Sequence, residues 1–305
     1  MSASTGRMSA ERNGFFVEKT RSSLTRDFVD EVLKLEKKLR SISRSEILNQ
    51  YLGLSSRAVK IEFYSPGKYV IKTEVGEAAE KGYISPSMFN KYRRCARELA
   101  IEIMETKTIG GTLVTVDQLR SYLKGFLAHR LYYERVAYGD TEVRVESATL
   151  RIVGYIDEVR KELGIHKVFE FKSSHKPDLV GAGLQVMSYM LAYADQNSVD
   201  LQSIEGYVVT LRGIYRVKVN KEVFDEYAKR LRKIVEIALS GDVNMLPPRL
   251  SSDLSARCND CPYRGRCVTL PDNYRTYQRF FEAVGFKKLV EKSSGSNLFS
   301  YLNKP

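Results

Sequence analysis

Two β-rich runs, Leu150 to Val159 and His166 to Lys172, constrain the fold of this chain more than any other stretch, because the few residues between them include Leu163-Gly164, a turn that folds one run directly back on the other. Side chains alternate between the two faces of a strand, so Glu170 and Lys172 share one face while Phe171 turns into a core. A hairpin through Leu163-Gly164 brings Asp157, which closes the run Gly154-Tyr155-Ile156-Asp157, beside Glu170 after twelve intervening residues. The result is a strand pair with two acids and a lysine on one surface.

The rest of the pattern supplies helices to cover such a sheet. A polar stretch of the first 25 residues, expected to be mobile, precedes an amphipathic helix marked by Phe28, Val29, Val32, Leu33, Leu35 and Leu39. Val59 to Tyr64 and Lys68 to Thr73 read as a hairpin turned by Ser65, Pro66 and Gly67. Ser85-Pro86 opens a helix that carries Met88, Phe89, Tyr92 and Leu99 and includes Cys95. A second helix runs from Val116 to Arg135, with Tyr122, Phe126, His129 and Tyr133 along one stripe. After the strands at Glu142 to Ala148, Leu150 to Val159 and His166 to Lys172 come a helix from Leu179 to Ala194, strands at Ser203 to Leu211 and Ile214 to Val219, and a helix from Lys221 to Leu239. This order predicts an α/β fold, a mixed sheet flanked by helices. Three parts are expected: an N-terminal extension over 1–84, a central domain over 85–270, and a basic, aromatic C-terminal helix within 271–305.

Charge narrows the partners. Lys and Arg outnumber Asp and Glu by 49 to 37, giving a net charge of +12 and a pI of about 9.4. Such a surplus favours a polyanionic partner such as DNA through phosphate contacts, although it also serves solubility alone. The N-terminus lacks an apolar signal core and no segment has the length of apolar run that spans a bilayer, so the expectation is a cytoplasmic protein with no membrane partner.

Two carboxylates a few ångströms apart repel unless a cation sits between them, and hard oxygen ligands suit Mg²⁺ or Mn²⁺. Such a metal activates water and clamps a scissile phosphate, with Lys172 placed to orient the water or offset charge. The competing reading is an exposed hairpin with an ordinary ion pair. His129, one of three histidines, either completes a metal site or packs in the core. Gln185 and Tyr189 stand four residues apart on one helix face, in reach of a phosphate or of the lysine.

The four cysteines are Cys95, Cys258, Cys261 and Cys267. Three of them lie in a short loop with Pro262 and Gly265, which in a reducing compartment points to metal ligation, with Cys95 as the fourth ligand. A four-cysteine zinc site and a [4Fe-4S] cluster both accept this spacing.

In order, Gly125-x3-His129, Gly154-x-Ile156-Asp157, Glu170-Phe171-Lys172 and Gln185-x3-Tyr189 resemble the RecB-type branch of the PD-(D/E)XK nucleases, whose restriction-endonuclease-like fold is thereby implied. The resemblance gives His129, Asp157, Glu170 and the Phe171 carbonyl the role of metal ligands and makes Lys172 catalytic, with Gln185 and Tyr189 as the downstream glutamine-tyrosine motif. One cysteine before these motifs and three after them are similar to the iron-sulfur subset of that superfamily, as is Ser85-x-Ser87-x4-Tyr92-x2-Cys95 followed by Arg97. This implies a [4Fe-4S] cluster on Cys95, Cys258, Cys261 and Cys267. Without a helicase P-loop, the chain is most similar to the stand-alone CRISPR-associated exonuclease, the fourth Cas family, over Ser85 to Val268. The implied activity is Mg²⁺- or Mn²⁺-dependent exonuclease action on single-stranded or frayed DNA, trimming fragments alongside CRISPR adaptation proteins. Two alternatives stay open: a non-catalytic DNA-binding scaffold on a nuclease fold, and a zinc-containing structural protein.

Overall fold

The computed structural model describes residues 16–20, 22–54, 61–218, 221–249, 256–273 and 275–277. Along the chain the elements are β1 (Phe16–Lys19), α1 (Arg26–Ser41), α2 (Arg44–Leu54), β2 (Ile61–Ser65), β3 (Lys68–Ile71), α3 (Glu74–Glu80), α4 (Met88–Arg94), α5 (Ala96–Ile109), β4 (Thr112–Thr115) and α6 (Val116–Arg135). There follow β5 (Asp140–Ser147), β6 (Ile152–Glu162), β7 (Ile165–Lys172), α7 (Leu179–Asn197), β8 (Ile204–Thr210), β9 (Gly213–Lys218), α8 (Lys221–Ser240), α9 (Ala256–Asn259) and α10 (Arg264–Thr269). They divide into two compact units, one drawn from 1–51 and 119–227 and the other from 52–118 and 228–304.

The first unit holds a six-stranded sheet in the order β1-β9-β8-β7-β6-β5. Only β7 and β8 run parallel, and α7 makes the crossover between them. Behind the sheet, Phe28 and Val32 of α1 and Ala128 and Tyr132 of α6 pack on Phe169, Phe171, Val209 and Leu211. Tyr132 stacks on Phe171 with centroids 4.8 Å apart and planes at 4°. That contact fixes Phe171, and with it the opposite orientation of Glu170 and Lys172.

A buried carboxylate couples α6 to β6. Glu158 accepts from Tyr132 Oη at 2.6 Å, Tyr138 N at 2.9 Å, Gly139 N at 3.0 Å and Arg160 Nε at 2.6 Å. Burial favours the neutral acid, but hydrogen bonds from Arg160 and Tyr132 outweigh it and hold the Glu158 carboxyl below its ordinary value. The Arg160 guanidinium is itself enclosed between the rings of Tyr138 and Phe169, at 3.7 and 4.1 Å.

The second unit contains a three-stranded antiparallel sheet, β2-β3-β4, and helices α3, α4 and α5. Helix α5 buries Leu99, Ala100, Ile101 and Ile103 and ends at Gly110, whose φ of 72° is the left-handed cap glycine adopts without strain.

Several elements depart from the sequence expectation. Of the polar stretch expected to be mobile, residues 1–15 lie outside the described residues, and Phe16–Lys19 forms the edge strand that pairs antiparallel with β9; four residues are too few to show a period. Strand β4 and helix α3 were not anticipated. Nor was α2, although Ser43 and Glu46 form a capping box, with Ser43 N donating to Glu46 Oε2 at 2.8 Å and Glu46 N to Ser43 Oγ at 3.3 Å. Cys95 does not lie within a continuous helix: at φ −164°, ψ 104° it is extended backbone that separates α4 from α5. The expected C-terminal helix lies outside the described residues beyond its turn at 275–277, which includes the buried Tyr277. No described helix is long and apolar enough to cross a membrane.

Helix α7 approaches the sheet closely enough to require glycine at position 206. A Cβ there would stand 2.4 Å from Val186 Cγ1 and 2.5 Å from Met190 Sδ. Gly206→Ala is expected to push α7 off β8 and destabilise the protein by roughly 1–3 kcal/mol, read as a lowered thermal midpoint. An unchanged midpoint would show that the helix yields freely.

Candidate active site

Strands β6 and β7 pair with Glu158 opposite Phe169, so the residues one step further on, Asp157 and Glu170, are brought abreast. Both are buried, at 9% and 4% exposure. Asp157 is well supplied with donors. Its Oδ2 accepts from Phe171 N at 2.7 Å, and its Oδ1 accepts from Tyr133 Oη at 3.2 Å and lies 3.2 Å from His129 Nδ1. Despite the cost of burial, the His129 charge and hydrogen bond hold the Asp157 carboxyl low. The converse applies to His129, where burial opposes the proton but Asp157, and after it Glu170, favour the imidazolium.

Glu170 is satisfied on one side only. Its Oε1 accepts from Lys172 Nζ at 2.7 Å and from Gln185 Nε2 at 2.9 Å. Its Oε2 is buried, and no hydrogen-bond partner meets it among the described residues. Burial and the neighbouring Asp157 charge push this carboxyl up to about 7, against which Lys172 pulls only partly. Lys172 Nζ also donates to Gln185 Oε1 at 2.8 Å, so Gln185 bridges acid and base from α7. Tyr189, one turn along α7, stands 3.4 Å from Gln185 Nε2.

The structure therefore gathers His129, Asp157, Glu170, Lys172, Gln185 and Tyr189 around the Phe171 backbone. Tyr133 joins them, although sequence reasoning placed it on the stripe of α6 without a role. Its signal was the spacing of four from His129, which stacks the two on one helix face.

The four cysteines all fall in the second unit, each partly buried and none in a disulfide. Cys95 caps α5 through its sulfur, which accepts from Glu98 N at 3.3 Å. Burial pushes the Cys95 and Cys261 thiols up to about 12, and Cys95 feels both Cys267 and Glu98 as neighbouring negative charges. The short helices α9 and α10 carry Cys258 and Cys267. Among the described residues, no three His, Cys, Asp or Glu side chains converge into a group that could hold a metal ion as they stand.

The chain belongs to the PD-(D/E)XK nuclease superfamily, whose profile matches residues 92–268, more than half of its length. No curated protein matches the sequence. The mixed sheet flanked by helices is in keeping with that fold, and the superfamily's nucleases hydrolyse nucleic acid, generally with divalent metals such as Mg²⁺ or Mn²⁺.

The raised Glu170 value has a sign that solution measurements can follow. A group held above its ordinary value contributes stability that is fully present below 4.5 and is lost as pH rises through about 7. The chelator-treated wild type is therefore expected to lose stability across that window, and Glu170→Gln to lose less. Parallel pH profiles in urea denaturation would mean that Glu170 is already ionised below the window.

Proposed function

We propose that this chain is a metal-dependent DNA nuclease whose site is built from Asp157, Glu170 and Lys172. The observation that carries this reading is the buried Asp157–Glu170 pair, with one Glu170 oxygen lacking a partner among the described residues and Lys172 tied to the other. A sheet stabilised for its own sake has no use for two abutting carboxylates. The donor set suits a hard divalent cation, since the orphaned Oε2, an Asp157 oxygen and the Phe171 carbonyl are all oxygens, and His129 stands beside them. Bound there, Mg²⁺ or Mn²⁺ would supply Lewis acidity toward the scissile phosphate and acidify a water.

The chain's own groups account for the rest. Lys172 presents a cation fixed by Glu170 and Gln185, in a position to hold the attacking water and to offset charge on the phosphate oxygens as the phosphorus–oxygen bond breaks. Gln185 keeps that lysine from collapsing onto Glu170 alone. Tyr189 backs Gln185, and Tyr133 orients Asp157. The excess of basic residues favours DNA in the long-range field. Exonuclease action on single-stranded or frayed ends, with a part in CRISPR adaptation, is the finer reading supported by the motif resemblance.

This reading is tested on end-labelled single-stranded and duplex DNA with Mn²⁺. Cleavage should stop with chelator, and each of Asp157→Ala, Glu170→Ala and Lys172→Ala should lower turnover by at least about 100-fold with DNA binding retained. His129→Ala should be milder. Equal activity of wild type and Lys172→Ala would remove the lysine from the mechanism, and an inert wild type that still binds DNA would favour the scaffold alternative.

For the cysteines the proposal is a [4Fe-4S] cluster on Cys95, Cys258, Cys261 and Cys267. It is supported by four unbridged thiols in one unit and by the motif resemblance. Anaerobically purified protein is expected to be brown, with about four irons per chain. Stoichiometric zinc without iron would instead establish the zinc alternative.

A further inference from the structure

Among the described residues of the second unit the most deeply buried charge is Arg97, two residues past Cys95 and fully enclosed at 0% exposure. Its guanidinium is spent on the cysteine loop. Nη1 donates to Pro247 O at 2.7 Å, and Nη2 faces Pro271 O at 2.8 Å, Leu270 O at 3.3 Å and Cys267 O at 3.4 Å. Nε donates to Cys267 Sγ at 3.2 Å. Asp272 is the carboxylate it meets among the described residues, and only at 3.9 Å.

Such an arrangement is costly for an arginine. Enclosing a cation carries a desolvation penalty that neutral carbonyl dipoles offset less completely than a close carboxylate would. Four thiolates around a metal group carry net negative charge whether the group is zinc or [4Fe-4S], and N–H donors to sulfur stabilise that charge.

We propose that Arg97 is the positioning residue of the cysteine site. It is a fixed cation on which the carbonyls of Pro247, Leu270 and Pro271 converge, and it orients the Cys267 sulfur toward the metal group and balances the charge of that group. This rests on the reading that the four cysteines share one metal group, and it adds a role that this reading leaves unassigned. Arginine is required because its planar fork serves a sulfur and several carbonyls at once, which an ammonium cannot do.

A natural control sits on the same loop. Arg249, exposed at the surface, donates through Nη2 to Val268 O at 2.9 Å and Leu270 O at 2.7 Å. Among the described residues its guanidinium bonds to carbonyls alone.

The test uses full-length wild type, Arg97→Gln, Arg97→Lys and Arg249→Gln, purified anaerobically. Iron and zinc are measured before and after challenge with a competing chelator, and the reduction potential is measured where iron is present. Arg97→Gln is expected to weaken metal retention by about 10- to 100-fold, in the range found for groups that support metal ligands. Arg97→Lys should fall between it and wild type, and Arg249→Gln should stay near wild type. In iron-loaded protein, Arg97→Gln should shift the potential to more negative values, since a nearby positive charge and a donor to sulfur are both removed; a merely tethering residue would leave it in place. If Arg97→Gln does not accumulate, Arg97→Lys decides, because it keeps the charge and loses the fork. Retention and potential equal to wild type in the Arg97 variants, or equal losses in Arg97→Gln and Arg249→Gln, would overturn the role of Arg97 and leave the four-cysteine site standing. A wild type without metal would overturn both.

Discussion

Holding Asp157 and Glu170 side by side inside a sheet is the constraint on which the candidate site depends, and neither residue could sustain it alone. Hydrogen-bonded ladders on either side of β7 resist the separation that like charges favour. Behind the pair, Phe171 is pinned against Tyr132 and Phe28, so the strand cannot rotate its acids apart. In front, Lys172 and Gln185 supply the nearest counter-charge and donor. Repulsion is thus offset by packing on one face and by hydrogen bonding on the other.

The two carboxylates are not equivalent. Asp157 sits among three donors, while Glu170 keeps one oxygen without a partner among the described residues and holds its proton more tightly than an ordinary carboxyl. The cysteine site poses the opposite electrostatic problem. There the buried group is a guanidinium, surrounded by carbonyl oxygens and a sulfur, with its nearest described carboxylate at 3.9 Å. One unit concentrates negative charge and the other encloses a positive one. Each arrangement is most easily understood through a partner of opposite sign: a hard cation for the carboxylates, an anionic thiolate group for the arginine.

Much of this was legible in the sequence because it depends on local periodicity. Alternation along Glu170-Phe171-Lys172 gave the facing of acid and base, and the spacing of Gln185 and Tyr189 gave their shared helix face. The hairpin at Leu163-Gly164 gave the proximity of Asp157 and Glu170. What stayed hidden depended on tertiary context. Tyr133 is one of 19 tyrosines, and nothing local marks its hydroxyl as the one that reaches Asp157. Glu158 looked like an ordinary charge beside Asp157, yet donors distant in sequence make it a buried anchor. The break at Cys95 was hidden for a similar reason, since good helix formers flank it and the sulfur that caps α5 is a rarely used acceptor.

Strand β1 carries a consequence for the order in which the molecule assembles. Its partner β9 lies almost two hundred residues downstream, with Phe16 opposite Lys218 and Lys19 opposite Tyr215. During synthesis the first strand emerges long before the strand that receives it, and closing so large a loop is entropically disfavoured until the intervening chain has collapsed. Until then β9 is an open edge, with unpaired backbone groups that another nascent chain could join. Docking of β1 is therefore expected late in folding, where it covers the six-residue β9 and leaves a four-residue strand as the edge on that side, a shorter template for another chain to join.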